Sequence, residues 1–205
     1  MAKTPGKRAL QSEHKRELIL EKSLALFRQY GYEKTTVGDI CDECNINVGT
    51  LYHFFGNKWG ILEEICTKMS RSGVLLENME EYACDPYPAF MKFHIDYAER
   101  WEKLGVDLTE HFYRNFKKIY YHPTTNIYQA SDTIHELGVF IKAAQDAGTF
   151  DTTVDAMETA HLMIIAGRGL VHDWCLHSGA YDLTKRSIEI MGRITKLLIA
   201  GVPAE

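Results

Sequence analysis

Residues 36–58, TVGDICDECNINVGTLYHFFGNK, leave this 205-residue chain few folds to choose from. A polar start, a short apolar-periodic helix, a tight turn and a second short helix describe a helix-turn-helix. Asn47 is placed to cap the second helix, Val48, Gly49 and Thr50 lie in its first turn, and Tyr52 and His53 follow. Small side chains at the leading end let such a helix sink into a DNA major groove. The Tyr52 hydroxyl and the Lys58 ammonium can then hold phosphates on either side. The segment is built to read DNA.

Helical spacing continues through the rest of the chain. From His14 to Tyr30 the apolar residues Leu18, Ile19, Leu26, Phe27 and Tyr30 recur at steps of three and four, and Gly31 ends the run. Thr36 starts the next helix, where it can both cap and touch a phosphate. Asn57 begins a fourth helix expected to run to about Tyr82, with Lys58 and free backbone amides in its first turn. The pair of prolines at Pro86 and Pro88 is the clearest break. Further helices are expected over about Pro88–Leu104, Val106–Tyr121, Ile127–Ala147 and Leu183–Ala200, with Gly148 closing the third. No strand-period segment of useful length and no internal repeat appears. The fold class expected is all-α: a three-helix DNA-binding domain over residues 1–62, followed by a larger helical domain over residues 63–205.

The net charge of −5 hides a gradient. Residues 1–16 carry Lys3, Lys7, Arg8, Lys15 and Arg16 against Glu13 alone, whereas residues 71–205 hold 13 basic and 19 acidic side chains. A basic N-terminal arm can meet phosphates while the acidic remainder stays away. With 45% hydrophobic and 25% charged residues the composition is that of an ordinary globular protein. No apolar run reaches the roughly 20 residues a bilayer span needs, and the start lacks a secretory apolar stretch. A cytoplasmic protein without membrane partners is the expectation.

The helix-turn-helix region resembles the TetR/AcrR-type one-component repressors. The resemblance is carried by Tyr30-Gly31-Tyr32, Thr35-Thr36-Val37, Asp39-Ile40, Gly49-Thr50-Leu51-Tyr52, Phe54-Phe55 and Lys58, and covers residues 14–62 closely. It departs from the family pattern at Cys41 and Cys44, where alanine is usual, at Asn45 for a turn glycine, and at Asn47 for serine. Trp59 replaces an acidic residue. Asn45 tolerates the left-handed backbone a turn needs, and Asn47 caps as well as serine. Val48 replaces a polar or basic residue and offers an apolar contact, suited to a thymine methyl. The resemblance implies an inducer pocket in the body and a two-fold dimer.

The body is rich in aromatics and histidines at helical spacing. His94, Tyr97, Trp101, Phe112, Phe116 and His135 are the candidate lining residues for an aromatic or amphipathic effector, because polar-tipped rings suit a cavity with apolar walls. For the dimer, Met157, Ala160, Ile164, Gly167, Val171 and Trp174 step by 3, 4, 3, 4 and 3 along one helix, and Ile190, Ile194 and Leu197 repeat the theme on the last. Periodicity alone equally allows both seams to face the chain's own core. One short recognition helix buries too little surface for a tight site, so a pair reading two half-sites is expected.

Five cysteines, an odd number, suggest free thiols. Cys41-x-x-Cys44 has no partner pair at zinc-finger spacing and reads as helix packing. His172, Cys175 and His177 are poorly spaced for one ion, and no metal site or cofactor is expected. No phosphate-cradling glycine motif, nucleophile elbow or zincin helix is present, so no enzyme is expected. The resulting expectation is a sequence-specific, ligand-responsive homodimeric repressor released from a palindromic double-stranded DNA operator by a small molecule. Alternatives are an activator or corepressor-dependent regulator, a thiol or metal sensor using Cys41 and Cys44, and a small-molecule binder whose head has lost DNA affinity.

Overall fold

The computed structural model describes residues 6–70, 79–115 and 132–199. Among these residues the regular structure is ten α-helices and no strand: α1 (Lys7–Tyr30), α2 (Val37–Cys44), α3 (Val48–Phe55), α4 (Lys58–Ser70), α5 (Met79–Cys84), α6 (Pro86–Leu104), α7 (Val106–Asn115), α8 (Asp132–Asp146), α9 (Ala156–Leu176) and α10 (Leu183–Leu198). The chain forms two compact units, Met1–Lys68 and Met69–Glu205. No described helix is long and apolar enough to cross a membrane.

In the first unit, α1 turns Ile19, Leu20, Ser23 and Phe27 inward, a face with steps of one, three and four. Gly31, at φ 88°, stops it and donates its N–H to the Phe27 carbonyl. Tyr32 then folds its ring back to 5.1 Å from that of Phe27. The helix starts at Lys7, earlier than the apolar pattern beginning near His14 suggested. Residues 7–16 are mostly straight-chain helix formers without an apolar face, so propensity extends the helix where periodicity is silent. The expected basic arm is therefore helical from Lys7 onward. Arg16 is not part of a free arm at all: Nε donates to Glu64 at 2.7 Å, Nη2 pairs with the same carboxylate, and the guanidinium lies 5.0 Å over the Phe55 ring. Lys68 extends this ion-pair set to Glu17.

In the second unit, Pro86 opens α6 at the position where a missing N–H costs nothing, so the double proline begins a helix rather than only interrupting one. Phe90 sits at the centre of the core, 5.1 Å from Phe140 and 5.6 Å from Phe150. Leu137, Ile141, Ala160, Met163 and Ile164 close around it. Gly138 lets α9 approach α8: a Cβ there would stand 2.1 Å from the Met157 sulfur. Asp155 and Asp182 cap α9 and α10. Glu102 of α6 also accepts from Leu183 N–H at 2.7 Å and Thr184 Oγ1 at 2.6 Å, tying α10 to α6.

The seam proposed for dimerisation is core. Ala160, Ile164, Gly167, Val171 and Trp174 are buried within the unit, and Met157 packs over Gly138. Both readings of that periodicity were open, and the chain's own α6–α8 helices supply the covering surface. The outward face of α9 carries a second stripe instead: Leu162, Ile165, Gly169, His172 and Leu176. Leu162 is 58% exposed and Leu176 70%. On α10 the expectation fares differently, since Ile190 and Ile194 are half-buried and Leu197 is exposed. The expected stretch of the fourth helix toward Tyr82 crosses residues 71–78, outside the described residues, as do residues 116–121 of the sixth expected helix and 127–131 of the seventh.

Candidate nucleic-acid interface

α2 opens with a complete capping box. Thr36 Oγ1 accepts from the Asp39 N–H at 3.1 Å, and the Asp39 carboxylate accepts from the Thr36 N–H at 2.7 Å and its hydroxyl at 2.8 Å. These donors hold the Asp39 carboxyl below the ordinary aspartate range. Thr36 is exposed, with its hydroxyl committed to the cap in this state. Ile40, Cys41 and Cys44 face inward, and Asn45 closes the helix in the left-handed region at φ 50°, ψ 52°. Asn47 then caps α3, accepting from Thr50 N–H at 2.8 Å and Thr50 Oγ1 at 2.9 Å.

α3 is divided cleanly between two faces. Leu51 and Phe55 are buried, whereas Val48, Gly49, Tyr52 and His53 are exposed. Val48 at 45% exposure and Tyr52 at 49% stand in water although both are large and largely apolar. Asn47 and Thr50 flank this face and are held still by each other. The result is a rigid, uncharged, narrow-headed helix face with small residues at its leading end.

Gly60 makes the joint behind α3 possible. A Cβ there would stand 2.0 Å from the Phe55 carbonyl oxygen, so no other residue lets α4 leave the end of α3 so closely. Asn57 stabilises that start by accepting from Gly60 N–H at 2.9 Å. Lys58 does not face solvent with all its donors. Its ammonium donates to the Tyr32 carbonyl at 2.8 Å and to the Thr35 carbonyl at 3.0 Å, bracing the loop between α1 and α2. This differs from the phosphate role expected of it, because the α1–α2 loop leaves two carbonyls without helical partners beside it.

Residues 19–65 match the family model described as bacterial regulatory proteins, tetR family. That stretch of the chain is similar to the tetR family. Over its whole length the chain is similar to the probable acrEF/envCD operon repressor of Escherichia coli K12, with 24% identity covering 97% of this chain and 92% of that one. Its fold is that of Thermus thermophilus FadR, a TetR-family transcriptional repressor solved with lauroyl-CoA: TM-score 0.64, 17% identity, 93% of this chain and 98% of that one. A TetR-family regulator from Pectobacterium atrosepticum is comparable, with TM-score 0.63, 16% identity and coverage of 95% and 98%.

The candidate effector residues are only partly brought together. Tyr97, Trp101 and Phe112 join one aromatic cluster, with ring centroids 6.0 Å apart for Tyr97–Trp101 and 5.4 Å for Trp101–Phe112. Tyr113, absent from the expected set, completes it: its hydroxyl lies 3.4 Å from that of Tyr97 and its ring 5.4 Å from Trp101. Tyr113 also lines a cleft of about 470 Å³ with Glu110, Arg114, His172, Cys175 and Leu176. His94 is buried beside Phe93, its Nε2 has no hydrogen-bond partner, and burial pushes its pKa down to about 4. His135 is exposed on α8 and cannot wall an enclosed cavity, because the periodic face of α8 turns Ile134, Leu137 and Ile141 inward instead. Phe116 lies outside the described residues.

Cys41 and Cys44 are buried, and burial raises both thiols above the ordinary cysteine range. A thiolate sensor needs the opposite shift. Among the described residues no cluster of His, Cys, Asp and Glu has the arrangement to hold a metal ion.

Proposed function

We propose that this protein is a sequence-specific, non-catalytic repressor of transcription that works as a homodimer in the cytoplasm and is released from DNA by a small molecule. Residues 1–62 form the DNA-reading head, and residues 63–205 bind the effector and the second copy. The observation that carries the reading is the exposed face of α3, where Val48, Gly49, Tyr52 and His53 stand in water opposite the buried Leu51 and Phe55. A helix with this face, capped and preceded by a capped α2, docks in a major groove. Val48, Gly49 and Thr50 approach base edges; Thr36, Asn47, Tyr52 and His53 meet the backbone on either side.

Two copies read two half-sites about 34–36 Å apart, one turn of DNA. The outward stripe of α9, Leu162, Ile165 and Leu176, together with Ile190, Ile194 and Leu197 of α10, is the surface that pairs them. Large apolar side chains left exposed side by side on one helix face suit such an interface. The repressor sign and effector response are supported by the names of the relatives, an operon repressor and a repressor solved with an acyl-CoA. An effector shifts the balance only by its differential affinity for the DNA-bound and released states.

The test is selection of bound sequences from a random duplex pool, followed by anisotropy on the enriched site at two salt concentrations. The expected outcome is a near-palindrome bound by two copies. Binding without enrichment, lost with salt, would overturn the reading.

A further inference from the structure

Arg100 of α6 spends two of its three nitrogens on backbone. Nε donates to the Asp96 carbonyl one turn back at 2.6 Å, and Nη1 donates to the Met69 carbonyl at 2.5 Å. Nη2 is buried and has no acceptor. Asp96, whose charge acts on the guanidinium, is itself engaged by Lys92 at 3.1 Å. Burial accordingly lowers the guanidinium's pKa, with Asp96 opposing only in part. The residue is half-buried, but one arm of its guanidinium is withdrawn from water without an acceptor, an arrangement that is costly until an anion completes it.

A helix cap does not require such a group. The Met69 carbonyl belongs to the last turn of α4, where any donor of sufficient length would serve. The free Nη2 is the part that capping leaves unexplained. Its surroundings indicate what would fill it. Tyr97 lies one turn back on α6 and within electrostatic reach of Arg100, and Trp101 follows it directly. Both belong to the aromatic cluster with Tyr113. A flat apolar body beside these rings would place a carboxylate at the end of the guanidinium, whose Nη1–Nη2 fork matches two carboxylate oxygens.

We propose that Arg100 receives the carboxylate of an aromatic effector, and that this carboxylate competes with the Met69 carbonyl for the guanidinium. Occupancy is thereby felt in the last turn of α4. The inference rests on the effector-responsive reading above and names the chemical class of the effector.

The full-length protein is melted against aryl carboxylates from benzoate through 2-naphthoate to anthracene-9-carboxylate, each beside its methyl ester. At least one carboxylate raises the melting temperature by several degrees while its ester does not. Arg100→Gln, checked for native circular dichroism, loses that response, and Arg100→Lys retains part of it. Amide exchange in the last turn of α4 speeds up when the carboxylate binds, and is already fast in Arg100→Gln. On an enriched duplex the same carboxylate lowers DNA affinity on the order of tenfold. No shift with any carboxylate, an equal shift with the ester, or a full response in Arg100→Gln overturns the proposal. A carboxylate shift that needs Arg100, in a protein that enriches no duplex, keeps the anion site and removes the regulator. Specific DNA binding with no carboxylate response does the reverse.

Discussion

Lys58 stands 4.3 Å above the Tyr32 ring and donates its ammonium protons to the carbonyls of Tyr32 and Thr35. One side chain at the start of α4 therefore fixes the loop that delivers Thr36 to its cap. Lys58→Ala leaves two part-buried carbonyls without their charged donor, and should cost about 1.5–3 kcal/mol of stability. A phosphate-holding lysine would flatten the salt slope of DNA binding by about one unit. The expected outcome is a lower melting temperature with an unchanged slope, read from thermal melts and salt-dependent anisotropy.

The exposed face of α3 separates two kinds of contact. Tyr52→Phe removes a hydroxyl aimed at the backbone and should weaken binding to all duplexes alike. Val48→Ala removes an apolar contact at a base edge. It should relax preference at one base pair in each half-site, by about 1 kcal/mol. Repeating the duplex selection with each variant checks this: a motif unchanged by Val48→Ala would take that residue out of the base-reading set.

The two stripes of α9 should respond oppositely to substitution. Leu162→Asp with Ile165→Asp, on the outward face, should yield a folded monomer with sharply weaker operator binding. Ile164→Ala, on the inward face, should cost about 2–5 kcal/mol of stability without altering the number of copies in solution. Sedimentation and thermal melts on the same samples separate the outcomes.

His94 should make the second unit acid-labile. Its folded pKa is pushed down to about 4 by burial, below the ordinary histidine value of 6.5. The unfolded chain therefore binds the proton more readily. The stability it contributes is complete above about pH 6.5 and is lost as pH falls toward 4, at about 1.4 kcal/mol per unit. His94→Leu should flatten that decline. Equal pH dependence of unfolding in the two proteins would show that His94 is not the group responsible.

The head was largely legible because its signals are local. Thr36 with Asp39, Asn45 at positive φ and Asn47 before Val48 each act within a turn or two of chain, so spacing alone predicts them. The Arg16–Glu64 pair and the Lys58 brace were not legible. They join residues far apart in sequence, and a charged side chain looks the same in a string whether it faces phosphate or carbonyl. In the body, the inward turn of His94 has no distinguishing local cue, whereas the outward turn of His135 follows from the periodicity of Ile134, Leu137 and Ile141 on its own helix.

The α9 seam marks the boundary most sharply. An apolar step of 3, 4, 3, 4 and 3 determined that Met157 to Trp174 would form a helix with one buried stripe. It also allowed a second stripe through Leu162, Ile165 and Leu176. Which stripe met the chain's own α6 and α8 and which stayed open was decided only by tertiary packing. The physical reason is that periodicity records which residues avoid water, whereas the partner that removes the water is a property of the assembled fold.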